Sequence, residues 1–126
     1  WVSLNIGGEL FSTTIDTLTR DPNSMLAKMF GSFVDWSSST DKNGAFLFDR
    51  NPDYFLPLLN YLRTGKLILK ESTNPEGVLD EARFFGITSV LEELTYLVEQ
   101  RRSREDKLSR KEISSLLINS SINASL

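Results

Sequence analysis

The chain has 126 residues, 40% apolar and 25% charged, with a formal net charge of −3 and an isoelectric point near 5.0. This is the composition of one ordinary globular domain, able to bury a core without staples and too acidic for a broad nucleic-acid footprint. It contains neither Cys nor His, which excludes disulfides, thiolate nucleophiles and zinc–thiolate sites, and removes the commonest general base.

Val2, Leu4 and Ile6 alternate with Ser3 and Asn5, the period of a half-buried strand. Gly7-Gly8 supplies the positive-φ pair of a tight turn, and Glu9–Thr14 returns as a second strand, so the segment reads as a hairpin. Ile15–Leu18 reads as one helical turn stopped by Asp21-Pro22. Ser24 then caps a short helix, Met25–Phe30, with Leu26, Met29 and Phe30 on its apolar face and Gly31 ending it. Ser32–Asn43 is loop-like, yet carries Phe33, Val34 and Trp36. These either fold back over the edge of the core or meet a partner.

Phe46–Lys66 is the stretch around which the rest is organised. Phe46-Leu47-Phe48 is a short apolar strand. Asn51 stands at an N-cap and Pro52 at the first helical position, where its missing N–H is not needed. Phe55, Leu58, Leu59 and Leu62 then form one apolar stripe and Gly65 closes the helix. Gly65-Lys66 is no P-loop, because Asn60 and Leu67 occupy two of its required positions. Leu67-Ile68-Leu69 is expected as a small strand or extended edge.

Asn74 and Pro75 repeat the Asn-Pro helix start. Val78, Leu79, Ala82 and Phe85 share a face of that helix, whereas Phe84 points away from the stripe, as either an internal contact or an interface anchor. Gly86 closes this helix, Thr88 or Ser89 is expected to cap the next, and Val90, Leu91, Leu94, Leu97 and Val98 continue at helical spacing. Past Gln100 a charge run, Arg101–Lys107, reads as a solvated helix face or linker, followed by a Ser/Asn-rich tail or helix. The Asn-x-Ser matches at Asn119 and Asn123 are read as chance. No apolar run is long enough for a membrane span, no secretory leader is visible, and Trp1 reads as the start of an excised piece. Asp16, Asp49, Asp53, Glu81 and Glu92 stand in no spacing that pairs two carboxylates, so no enzyme is expected.

Taken in order, Leu4-Asn5-Ile6-Gly7-Gly8, Thr14…Thr17-Leu18, Ser24-Met25-Leu26, Gly44–Arg50, Leu59–Arg63 and Glu81–Phe85 resemble the BTB/POZ domain of the potassium-channel tetramerisation type. The similarity is strongest to the soluble KCTD proteins. It covers about residues 1–100 and leaves 101–126 unmatched. It implies an α/β fold, a small mixed sheet flanked by a cluster of short helices, and self-assembly into a ring, pentameric with a tetramer as alternative. It further implies a substrate adaptor of a cullin-3 ubiquitin ligase in the cytoplasm or nucleus, with the ubiquitination substrate held by regions outside this stretch. A purely structural oligomerisation module of a channel or scaffold, binding no cullin, is the alternative. On the resemblance, cullin contacts fall on Met29, Phe30, Phe33, Tyr54 and Phe84, and ring contacts on Asp49, Arg50, Asn60 and Arg63. Asp49 and Arg50 also have a competing role at the strand–helix junction. Some channel relatives hold interfacial zinc through Cys and His; this chain has neither, so no metal or cofactor carries over. No nucleic acid or membrane partner is expected.

Overall fold

Alternation of Leu4 and Ile6 with polar neighbours makes β1 (Val2–Ile6), which turns at Gly7 and Gly8 into antiparallel β2 (Glu9–Thr13), with Leu4 opposite Phe11. Both glycines have positive φ, 57° and 99°, as a primed two-residue turn requires, and the Asn5 side chain accepts a hydrogen bond from the Gly8 N–H at 2.8 Å. These elements belong to a computed structural model that describes residues 1–32 and 39–125, with side chains described as far as Ser120.

Four short-range caps set the helices that follow. Thr14 accepts from Thr17 N–H ahead of α1 (Ile15–Leu18), and Ser24 from Ala27 N–H ahead of α2 (Met25–Phe30). Asn51 and Asn74 accept from Asp53 and Glu76 N–H, starting α3 (Pro52–Thr64) and α4 (Pro75–Phe85) with Pro at the first position of each. Gly65 and Gly86 close α3 and α4 in the left-handed conformation. Between α2 and α3, β3 (Phe46–Phe48) joins β1 in parallel, with Leu4 opposite Phe46 and Ile6 opposite Phe48, so the sheet order is β2-β1-β3.

The core lies between one face of this sheet and the stripes of α3 and α4, with the start of α5 (Leu91–Ser125) behind them. An aromatic chain runs through it. Phe11 meets Phe55 at 5.3 Å, Phe55 meets Phe85 at 5.1 Å, and Phe85 meets Phe48 at 5.4 Å. Sheet, α3 and α4 are therefore joined by ring contacts as well as by aliphatic burial.

Three details differ from the local reading of the sequence or resolve its alternatives. Leu67-Ile68-Leu69 pairs with no strand; Leu67 and Leu69 lean on the core while Ile68 faces solvent. Neither Thr88 nor Ser89 caps α5. Thr88–Val90 is a 3₁₀ turn, and the Ser89 hydroxyl and N–H both go to the Asp21 carboxylate, at 3.0 and 3.2 Å. The charged and Ser/Asn-rich segment is one helix continuous with the domain: α5 passes residue 100 without a break. It keeps contact with the body through Arg101, bonded to the Thr73 carbonyl, and Arg102, bonded to Glu76. Its described side chains beyond Arg102 are exposed.

Candidate docking surface

Where α4 ends beside the β3–α3 junction, a buried carboxylate, a guanidinium and an exposed ring lie in contact. Glu81 stands three residues after Val78 and four before Phe85, on the apolar stripe of α4, and is only 5% exposed. A carboxylate so placed needs a compensating partner. Arg50, two residues past β3, supplies it: its Nε lies 3.0 Å from Glu81 Oε2. The same guanidinium lies over the Phe84 ring, 4.2 Å from its centroid, a cation–π contact. Phe84 also meets Phe85 edge-on at 4.9 Å and 90°. Held from two sides, it still leaves 43% of its surface to solvent.

The sequence-derived docking candidates fall at several depths around this point. Phe30, half-buried on α2, packs edge-to-face on Phe46 of β3 at 4.9 Å. Met29 beside it is 8% exposed and so belongs mostly to the interior. Tyr54 on α3 lies flat against α4 at Gly77, where an added Cβ would fall on its ring. Phe33 lies outside the described residues. β3 thus links the two aromatic groups, with Phe30–Phe46 at its start and Phe48–Phe85–Phe84 at its end.

The candidates for copy-to-copy contact divide in two. Asp49 and Arg50 share the junction, Asp49 exposed and Arg50 half-buried against Glu81 and Phe84. Asn60 and Arg63 are exposed on the last turns of α3. Arg63 donates to the Asn60 side chain at 3.2 Å and to the Ser12 carbonyl of β2 at 2.9 Å. Asn60 also borders a groove of about 430 Å³ between α3 and the 67–74 segment, shared with Tyr54, Leu56, Pro57 and Ile68. Arg50 with Phe84, and Asn60 with Tyr54, are the places where the two sets of candidates meet.

Several side chains that position these elements have no mark in the local pattern. Asp21, buried, gathers Asn23 N–H, Ser89 N–H and the Ser89 hydroxyl, and the Tyr61 hydroxyl completes the network on Ser89 at 2.9 Å. Arg20 donates to the Leu62 and Arg63 carbonyls, at 3.2 and 3.1 Å, in the last turn of α3. Glu81 alone carried a visible signal, a charge on an apolar stripe. In the turn that leads into β3, the Asp41 carboxylate accepts from Ala45 N–H at 3.0 Å and Asn43 N–H at 2.9 Å. These backbone donors, Ala45 foremost, hold its pKa below the ordinary value of 3.8. Among the described residues no cluster of acidic side chains is arranged to hold a metal ion, and no helix is long and apolar enough to cross a membrane.

A family model described as a BTB/POZ domain matches residues 2–94. The chain belongs to the BTB/POZ family. It is 48% identical over 121 residues to the BTB/POZ domain-containing protein KCTD9 of Mus musculus, covering 94% of this chain and 36% of that protein. It is 43% identical over 113 residues to the BTB/POZ domain-containing protein KCTD5 of Homo sapiens, covering 90% of this chain and 48% of that protein. To the BTB/POZ domain-containing protein KCTD17 of Homo sapiens it is 42% identical over 101 residues, covering 80% of this chain and 32% of that one. The chain spans about a third to a half of the length of these relatives. It is a BTB/POZ domain of the KCTD type, α/β with a small mixed sheet, and a protein-interaction module. Domains of this family are interaction modules without catalytic chemistry.

Proposed function

We propose that this BTB/POZ domain is the self-assembling adaptor module of a cullin-3 ubiquitin ligase. Copies form a ring, five-fold by preference with a tetramer as the alternative. The outer aromatic side chains dock the cullin, and a region outside these 126 residues selects the ubiquitination substrate. The module works in the cytoplasm or the nucleus. Phe84 is the central anchor, and Met29, Phe30, Phe33 and Tyr54 are the further cullin-binding residues. Asp49, Asn60 and Arg63 contribute to contacts between copies, whereas Arg50 takes its competing role at the strand–helix junction, a choice supported by its pairing with Glu81.

The observation that carries this reading is the state of Phe84. A large ring that is 43% exposed yet packed against Arg50 and Phe85 is what an interface hot spot needs, since aromatic anchors supply a disproportionate share of binding energy. Exposure on its own is ordinary; an exposed ring packed on two sides by its own protein is less so.

Titrating the cullin-3 N-terminal domain into the purified chain, with native mass measured before and after, tests both parts. The expected result is a five-fold mass, heat on mixing and co-migration. Phe84→Ala should weaken binding by about 2 kcal/mol, roughly 30-fold. A ring that gives no heat and no co-migration would turn the reading toward structural oligomerisation alone, and a monomeric mass would remove the ring. Unchanged affinity in folded Phe84→Ala removes that residue from the surface.

A further inference from the structure

We infer that Glu81 and Arg50 are positioning residues whose task is to hold Phe84 rigid as a docking anchor; this rests on the reading of Phe84 as the anchor. The geometry uses a property specific to guanidinium. Its planar group bonds along its edge and stacks across its face, so one Arg serves two neighbours at once. Here Nε goes to Glu81 Oε2 at 3.0 Å while Cζ stands over the Phe84 ring, 4.2 Å from its centroid. An ammonium would keep the charge near Glu81 and lose the planar cover over the ring.

Each member of the chain is fixed by the one below it. Glu81, with 7% of its side chain exposed, has little freedom, and its helix is locked into the core by Val78, Ala82 and Phe85. Arg50, with 30% of its side chain exposed, is held by a partner that cannot move away. Phe84 is then confined between the Arg50 guanidinium and the Phe85 ring. A ring ordered before docking loses less freedom on binding, which is how a preorganised anchor gains affinity without any new contact. Glu81 thus acts on the partner from within the protein, at two removes.

Arg50→Lys tests the inference, with Glu81→Gln as the second variant and Phe84→Ala as the control on the docking reading. Each is titrated with the cullin-3 N-terminal domain and checked for native mass. Side-chain NMR reads the Arg50 Hδ and Hε resonances, which the ring current of Phe84 shifts upfield. The expected outcome is a 3- to 10-fold loss of affinity in Arg50→Lys, the size of one side chain's ordering entropy converted to a ratio. Combining Arg50→Lys with Phe84→Ala should give nothing beyond Phe84→Ala alone. In Glu81→Gln the upfield shift of Arg50 should diminish and affinity should fall. The inference is overturned if Arg50→Lys binds like the unmodified chain while Phe84→Ala is weakened, if the two losses add, or if Glu81→Gln leaves the Arg50 resonances in place. Should Phe84→Ala itself bind normally while the Arg50 shift persists in the unmodified chain, the docking reading has failed and the inference falls with it. A change of native mass in Arg50→Lys overturns it as well, assigning Arg50 to the contact between copies.

Discussion

Replacing Gly7 by Ala strikes the point where the hairpin meets the strand–helix junction. Gly7 has φ +57° and donates to the Phe48 carbonyl at 2.8 Å. A Cβ there would overlap the carbonyl of Arg50, and backbone on both sides leaves no flexible end to swing aside. The left-handed conformation itself costs Ala about 1–2 kcal/mol. The overlap adds roughly 1–3 kcal/mol, the usual range for forcing atoms into filled space. The sum is about 2–5 kcal/mol, and at a urea slope near 2 kcal/mol/M the midpoint should fall by about 1–2.5 M. Gly65→Ala is the internal reference. Gly65 is also left-handed, at φ +79°, but has nothing within 4 Å of its Cβ position, so that substitution carries the conformational cost alone. Urea unfolding of both variants at one protomer concentration decides the matter. If Gly7→Ala is no more harmful than Gly65→Ala, the reasoning from close approach is wrong.

Two further predictions concern stability. Phe55→Ala removes the ring shared by Phe11 and Phe85 at the centre of the aromatic chain and should cost about 3–5 kcal/mol, read as a urea midpoint shift with unchanged slope; a loss below about 1 kcal/mol would mean the site collapses around the void. Asp41 has a folded pKa lowered from 3.8, chiefly by the Ala45 N–H, so its contribution is fully present above that unfolded value and disappears as pH falls below it through the folded value. Asp41→Asn should therefore lower stability at neutral pH and make the acid arm of a midpoint-versus-pH curve shallower below pH 3.8; an acid arm parallel to that of the unmodified chain would contradict this.

What could be read from the sequence follows the range of the interactions concerned. The Gly7-Gly8 turn, the Asn51-Pro52 and Asn74-Pro75 helix starts and the Gly65 and Gly86 stops are settled within four or five residues, and each is where the local pattern placed it. The stripes of α3 and α4 bury the residues their spacing selected, and Phe84 stands off its stripe with a solvent-facing side. What local pattern does not encode is who meets whom across the chain. Arg50 and Glu81 are 31 residues apart, and Ser89 and Asp21 are 68 apart. Ser89 shows the effect plainly: it has the chemistry of a helix cap, but its hydroxyl donates to the buried Asp21 carboxylate and its oxygen accepts from the Tyr61 hydroxyl, both distant in sequence. Leu67–Leu69 has strand composition without a strand, since β-propensity describes fit to a pleated surface and here no neighbouring strand offers one. Of the candidate surface, Phe33 falls outside the described residues, and the brace beneath Phe84 was announced only by the charge of Glu81 among apolar neighbours.

The unbroken passage of α5 out of the core has a geometric corollary. Beyond Val98 the helix advances about 40 Å to Ser125, at about 1.5 Å and 100° per residue. Whatever is attached along that arm inherits a bearing from the domain as well as a distance. Inserting one residue after Arg102 would barely change the reach but would turn everything beyond it by more than a quarter of a revolution, so the number of residues in this segment acts as an angular setting.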